Sequence, residues 1–214
     1  AADIGSGTGI FSRLLLESGL SVIGVEPNAA MRKESERLLG RYPGFQSIDG
    51  EAGNTSIADS TIDIVSAAQA FHWFSGSDAI GEFKRILKPT GLIALVWNDR
   101  KTTGDPFHEQ YESLLQACCP EYRLSTHKHY SDESLTSLFT GWNIDKHVLQ
   151  NSQGLTYEGF RGRLESSSYC PKPESSIYVH LLSELEDLYN RHSRKGQIQI
   201  DYSTELYLLK AGAI

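Results

Sequence analysis

The sequence predicts an α/β fold built on a parallel β-sheet with helices on both faces. Three observations carry that expectation. Apolar, β-branched runs alternate with helically spaced segments through the first hundred residues. One of these runs, residues 62–68, is apolar enough to be buried on both faces, as a central parallel strand is. The first run leads into Asp3-Ile-Gly-Ser-Gly-Thr-Gly9, where three glycines at alternate positions stand between strand and helix patterns.

The elements follow in order. Residues 1–4 read as the end of a strand; a buried first strand is expected to be longer, so upstream residues are expected to belong to it. Residues 10–18 have helical spacing, with Leu14 and Leu15 apolar and Gly19 placed to close the helix. A second strand is expected over 20–25. Asn28 can cap a helix over 29–39 that stops at Gly40. Strands are expected over 45–48 and 62–68. A helix over 78–87 is ended by Lys88-Pro89-Thr90-Gly91, and a fifth strand covers 92–97. The second half is less regular. Helices are expected over 107–118, over 132–139 behind Ser131, over 160–164 and over 177–194; strands are expected near 143–149 and 198–209. The helical piece at about 155–195, between the last two strands, is the candidate cover for the sheet's ligand edge.

Composition narrows the function. With 20 basic and 27 acidic residues the formal net charge is −7, which argues against a general nucleic-acid or anionic-membrane binder. Apolar runs fall short of membrane-spanning length. The three cysteines, Cys118, Cys119 and Cys170, lack metal-ligand spacing and read as free thiols in a reducing, cytoplasmic compartment. His108, His127 and His129 also lack ligand spacing, so no metal is expected.

In an open parallel sheet, ligands sit beyond the carboxyl ends of the strands. Four loops qualify here: Asp3–Gly9, Glu26–Asn28, Asp49–Ala52 and Gln69–Trp73. The glycines allow a ligand to rest on the main chain. Glu26 ends the neighbouring strand and offers a carboxylate's paired acceptors. The spacing is G-x-G-x-G. The dinucleotide fingerprint G-x-G-x-x-G would need glycine at position 10, which is Ile10.

These motifs resemble those of the class I S-adenosylmethionine-dependent methyltransferases. The carrying residues are Asp3–Gly9, Gly24-Val-Glu-Pro-Asn28, Asp63–Gln69 with Ala70-Phe-His-Trp-Phe74, and Arg85-Ile-Leu-Lys-Pro-Thr-Gly91, in family order across residues 1–100. The resemblance implies one methyltransferase domain over 1–214. It implies a Rossmann-like doubly wound seven-stranded sheet of order 3-2-1-4-5-7-6, last strand antiparallel, with a helical insertion before the final strand. It also implies S-adenosyl-L-methionine as cofactor. Gly5, Ser6, Gly7, Thr8 and Gly9 would approach its methionine part, and Asp3 would take its ammonium directly or through water. Glu26, with Pro27 and Asn28, would take the ribose. Met31, Glu51 and Ala52 would meet the adenine, and Gln69 the methionine end. Relatives commonly carry Glu where this chain has Gly53. Ala70-Phe-His-Trp73 and the helical insertion are similar to the trans-aconitate methyltransferase branch.

His72 stands at the edge where methyl transfer would occur and is the candidate base, against the alternative that Phe71, His72, Trp73 and Phe74 form pocket wall. Trp97 and Asn98 end the fifth strand and either face substrate or pack. Residues 165–170, Glu-Ser-Ser-Ser-Tyr-Cys, either meet a small polar substrate or end a solvated helix, and the flanking Arg161 and Arg163 either meet a carboxylate or face solvent. The expected reaction is methyl transfer to a small-molecule acceptor, such as a carboxylic acid or other polar metabolite, without nucleic-acid or membrane partners. Two alternatives stay open at this level: a nicotinamide (NAD)-dependent oxidoreductase on a similar sheet, and a non-catalytic S-adenosylmethionine-binding protein.

Overall fold

The computed structural model describes residues 1–74, 76–122 and 130–212. Its strands are β1 (Ala2–Ile4), β2 (Val22–Val25), β3 (Phe45–Ile48), β4 (Ile62–Ala68), β5 (Leu87–Arg100), β6 (Trp142–Leu155) and β7 (Ile198–Ala211). Its helices are α1 (Ile10–Glu17), α2 (Ala29–Leu39), α3 (Gly76–Ile86), α4 (Pro106–Cys118), α5 (Asp132–Leu138), α6 (Tyr157–Glu165) and α7 (Ser176–His192), with a 3-10 turn at Phe71–Trp73.

The strands form one seven-stranded sheet in the order β3-β2-β1-β4-β5-β7-β6. β1 to β5 pair in parallel, as a βαβ chain requires. Against β5, β7 runs the other way: Asn98 meets Thr204 while Lys101 meets Asp201. The expected sheet order is therefore present, and α6 and α7 lie in the chain between β6 and β7. α3 ends at Ile86, and Lys88–Gly91, expected as the stop between helix and strand, already belongs to β5; the strand takes it in with a register shift, Ile62 pairing with Leu87 and Ile64 with Leu92, so β5 starts earlier than its apolar run.

Local chemistry accounts for most boundaries. Asn28 caps α2 by accepting N–H bonds from Ala30 and Met31 at 3.0 and 3.2 Å. Gly40 ends that helix, though at φ −58 rather than in the left-handed region. On α1 the buried face is not the Leu14 stripe. Ser12 and Leu16 point inward, while Leu14 and Ile10 are exposed. The reason is polar: a buried carboxylate on β1 draws Ser12 in.

The chain divides into two compact units. The first comprises Ala1–Trp97, Tyr130–Val148 and Glu205–Ile214. Its core is built on Ile4, Val25, Val65, Phe83, Ile93 and Leu95, with Phe71, Phe139, Trp97 and Tyr207 packed beside them. Side chains of this kind contribute on the order of 1.5–3 kcal/mol each on leaving water. The second unit comprises Asn98–His129 and Leu149–Thr204. There α4, α6 and α7 bury Phe107, Tyr111, Leu115, Phe160, Leu181 and Leu185 together with Ile200. The cysteines are free, Cys118 and Cys119 buried and Cys170 half-buried. Among the described residues no helix is long and apolar enough to cross a membrane.

Candidate functional site

The four loops singled out from sequence meet in the first unit. Residues from all of them, Gly5, Pro27, Gly50–Gly53, Trp73 and Phe74, line one cavity of about 380 Å³. The parallel register brings this about. β1, β2 and β4 pair in step, Asp3 opposite both Gly24 and Ser66, so their carboxyl ends open at one edge.

The glycine loop is held from two sides. Gly5 and Ser6 donate N–H bonds to the Val25 carbonyl at 2.8 and 3.1 Å. The Glu26 carboxylate, 8% exposed, accepts the Gly7 N–H at 3.0 Å on one oxygen and the Asn28 N–H at 2.9 Å on the other. Each oxygen keeps lone-pair capacity for a ligand hydroxyl. The three glycines serve different ends. A Cβ on Gly5 would lie 2.7 Å from Ala70, and one on Gly9 2.5 Å from Leu39, so both are demanded by close packing. Gly7, at φ +55, faces space in which a Cβ would meet nothing within 4 Å. That is the cradle a main-chain-bound ligand needs.

Asp3 lies beneath this loop, 1% exposed. Ser12 and Ser66 donate hydroxyl bonds to its two oxygens at 2.6 and 3.1 Å. Burial pushes its carboxyl up to about 6, against the lowering effect of the two serines. The carboxylate thus ties β1 to α1 and β4.

The third loop is anchored by residues the sequence reading passed over. Arg32, one turn into α2, donates to the Glu26 and Pro27 carbonyls at 2.8 and 2.7 Å and pairs with Asp49 at 2.8 Å. Glu82 on α3 takes the Thr55 N–H at 2.8 Å and hydroxyl at 2.6 Å. Arg85 beside it holds the Glu82 carboxyl down at about 2. The available signals were a lone arginine one turn after the Asn28 cap and a Glu–x–x–Arg pair on one helix face. At Gly53 a Cβ would come 3.3 Å from the Asp78 Cβ on α3, a tight contact.

Other expected residues are placed as follows. Glu51 is exposed and Ala52 half-buried, both on the cavity wall. Gln69, the residue after β4, has φ +54, in the left-handed region that residues other than glycine seldom adopt. Thr8 lines a second cavity of about 310 Å³ with Gly9 and Arg13. Met31 is 44% exposed on α2 and does not line the Gly5–Phe74 cavity. His72 is half-buried in the 3-10 turn, its ring centroid 5.0 Å from that of exposed Trp73. Phe71 belongs to the core. Trp97 packs against Phe71, Tyr130 and Tyr207.

In the second unit, Thr204 donates its hydroxyl to Asn98 Oδ1 at 2.7 Å. Ser166 and Ser167 bond the Arg163 carbonyl and so close α6. Asp105, His108 and Asp201 lie close enough to share a cation, but the histidine is already spent. Nδ1 meets the Asp105 carboxylate, and Nε2 accepts the Asp201 N–H at 3.0 Å. In the tautomer this network demands, no lone pair is left for a metal. His127 and His129 lie outside the described residues.

The family described as methyltransferase domain matches residues 2–95. An uncharacterized methyltransferase-like protein of Schizosaccharomyces pombe is 30% identical over 209 residues, covering 94% of this chain and 78% of that protein. Among solved structures, a candidate type II methyltransferase from Anaeromyxobacter dehalogenans aligns over all of this chain and 90% of its own, with TM-score 0.72 and 18% identity. The geranyl diphosphate C-methyltransferase of Streptomyces coelicolor, solved with Mg2+, geranyl diphosphate and S-adenosyl-L-homocysteine, aligns over 98% and 70% with TM-score 0.54 and 14% identity. The two structures show the fold; with the sequence matches, they establish that this chain belongs to the class I S-adenosylmethionine-dependent methyltransferases.

Proposed function

We propose that the chain transfers the sulfonium methyl group of S-adenosylmethionine to a small-molecule acceptor. The observation that carries the reading is the Glu26 carboxylate, which ties Gly7 to Asn28 at the mouth of a bare glycine loop. Bound cofactor supplies an activated methyl group, so the protein needs no nucleophile of its own. What remains for the residues is to bind, orient and exclude water.

Glu26 takes the ribose hydroxyls with its remaining lone pairs. Gly5, Ser6, Gly7, Thr8 and Gly9 receive the methionine part, and the open face of Gly7 fits that role. Asp3 offsets the cofactor's positive charge from beneath. Pro27, Asn28, Glu51 and Ala52 receive the nucleoside in the Gly5–Phe74 cavity, with Met31 at its side. Gln69, held at a strained backbone angle, presents its side chain to the methionine end. His72 takes a proton from the acceptor. The acceptor is a carboxylic acid or another polar metabolite.

The test has two arms. Calorimetry should detect S-adenosylmethionine binding and none of NAD. An acceptor screen over a metabolite pool should then release S-adenosylhomocysteine. Binding of NAD in place of the sulfonium nucleoside ends the reading; cofactor binding without turnover on any pool reduces the protein to a binding module.

A further inference from the structure

Behind the glycine loop, α1 and α2 lie against each other. Leu16 on α1 and Leu39 on α2 share a small core with Val22, and the Tyr42 hydroxyl donates to Glu17 at 3.1 Å. The cavity of about 310 Å³ that Thr8 and Gly9 line is the groove between these helices. Both helices put the same kinds of side chain on its rim. Ile10, Arg13, Leu14 and Glu17 follow at helical spacing on α1; Glu34, Arg37, Leu38 and Arg41 do so along α2 and just past its Gly40 end.

Two properties set this groove apart from ordinary surface. One is apolar. Ile10 is 72% exposed, Leu14 52% and Leu38 42%. Single exposed apolar residues are common, but these are neighbours: Ile10 and Leu38 line the one cavity, and Leu14 stands a turn along from Ile10. The inward side of α1 is filled by Ser12 and Leu16, so the core has no place for them.

The other property is charge. Among the described residues, three arginines and no carboxylate line the cavity, on a chain whose formal net charge is −7. Their own partners leave donors over. Arg13 has Glu17 at 3.7 Å, beyond hydrogen-bond reach. Arg37 gives Nε and one terminal nitrogen to Glu34 at 2.8 and 2.6 Å and keeps the other. Arg41 lies over the Tyr42 ring, 5.3 Å from its centroid, and among the described residues has no carboxylate partner. Each can donate to an incoming carboxylate.

We infer that the groove between α1 and α2 is a docking surface for a protein segment in which leucine-like side chains are flanked by aspartate or glutamate. The apolar side chains enter between Ile10 and Leu38, and the acidic flanks meet Arg13, Arg37 and Arg41. A nucleic acid fits less well. Glu17 and Glu34 interrupt the arginines where phosphates would run, and the described lining has no aromatic ring on which a base could stack. The same two carboxylates count against an anionic membrane. This groove shares no lining residue with the Gly5–Phe74 cavity, and the inference stands without the methyl-transfer reading.

Selection from a displayed library of random peptides about twelve residues long tests it, with the full chain as bait and no nucleoside present. Enriched peptides should combine Asp or Glu with Leu, Ile or Phe, and synthetic copies should bind in solution by fluorescence anisotropy. Arg13→Glu with Arg41→Glu reverses two exposed charges and should weaken that binding about tenfold or more. Ile10→Ser removes one exposed anchor and should weaken it several-fold with the melting temperature unchanged. Vesicles of phosphatidylserine and phosphatidylcholine, and a single-stranded oligonucleotide, should not displace the peptide. No enrichment, enrichment of peptides without acidic residues, undiminished binding by either variant, weakening only in variants that melt lower, or displacement by either competitor overturns the inference. Should the double charge reversal not fold, Arg41→Gln and Ile10→Ser decide.

Discussion

Replacing Asp3 with asparagine removes a charge that folding has buried. The carboxyl titrates at about 6 in the folded chain, against an ordinary value of 3.8. Between those values the folded protein keeps a proton that the unfolded chain has lost. Stability therefore falls as pH rises through this window, and the full cost is present above about 6. A gap of about two pH units corresponds to about 3 kcal/mol. That is an upper bound for the gain, since the Ser12 and Ser66 hydroxyls must re-form their bonds to an amide. The Asp3→Asn protein should thus be more stable than the parent by about 1–3 kcal/mol at neutral pH, and the advantage should vanish near pH 4. Denaturant titrations across that range measure it. The same substitution should weaken S-adenosylmethionine binding, and the rise of affinity with pH through about 6 should disappear. A variant no more stable than the parent at neutral pH, or a difference that ignores pH, refutes the argument.

Three further outcomes are expected. Glu26→Ala should cost cofactor affinity on the order of 1–3 kcal/mol by calorimetry, since hydrogen bonds to a charged group are lost, and should lower the melting temperature because Gly7 and Asn28 lose their acceptor. Gly7→Val and Gly9→Ala should separate binding from folding. The first meets open space and should abolish cofactor binding in a protein that still folds, at about 1–2 kcal/mol of backbone strain; the second drives a Cβ into Leu39 and should melt the protein at markedly lower temperature. Poor folding of Gly7→Val with intact binding reverses that assignment. His72→Ala should slow turnover with cofactor affinity intact; equal activity returns the ring to the pocket wall.

Where the chain announced its structure, it did so through local chemistry that tertiary packing did not override. α2 carries its own cap in Asn28, and β3 and β4 are bounded by turn residues, so their limits were readable to the residue. The edge where the loops after β1 to β4 converge was readable too, because parallel order dictates it. What was hidden was long-range. Ser12 faces inward only because Asp3 is buried beside it, and nothing in the helical period of α1 says so. Arg32 and Glu82 matter through partners 17 and 27 residues away. β6 was underestimated because most of its residues are exposed and few are apolar, so the pattern that marks a strand faded beyond Leu149.

The carboxylate of Glu26 holds Gly7 on one oxygen and Asn28 on the other. One side chain thereby pins the glycine loop to the start of α2. Little chain entropy is left to lose on encounter, and capture resembles a key entering a cut lock more than a hand closing. Selectivity among nucleosides is then decided by whether the incoming molecule fits a shape already made.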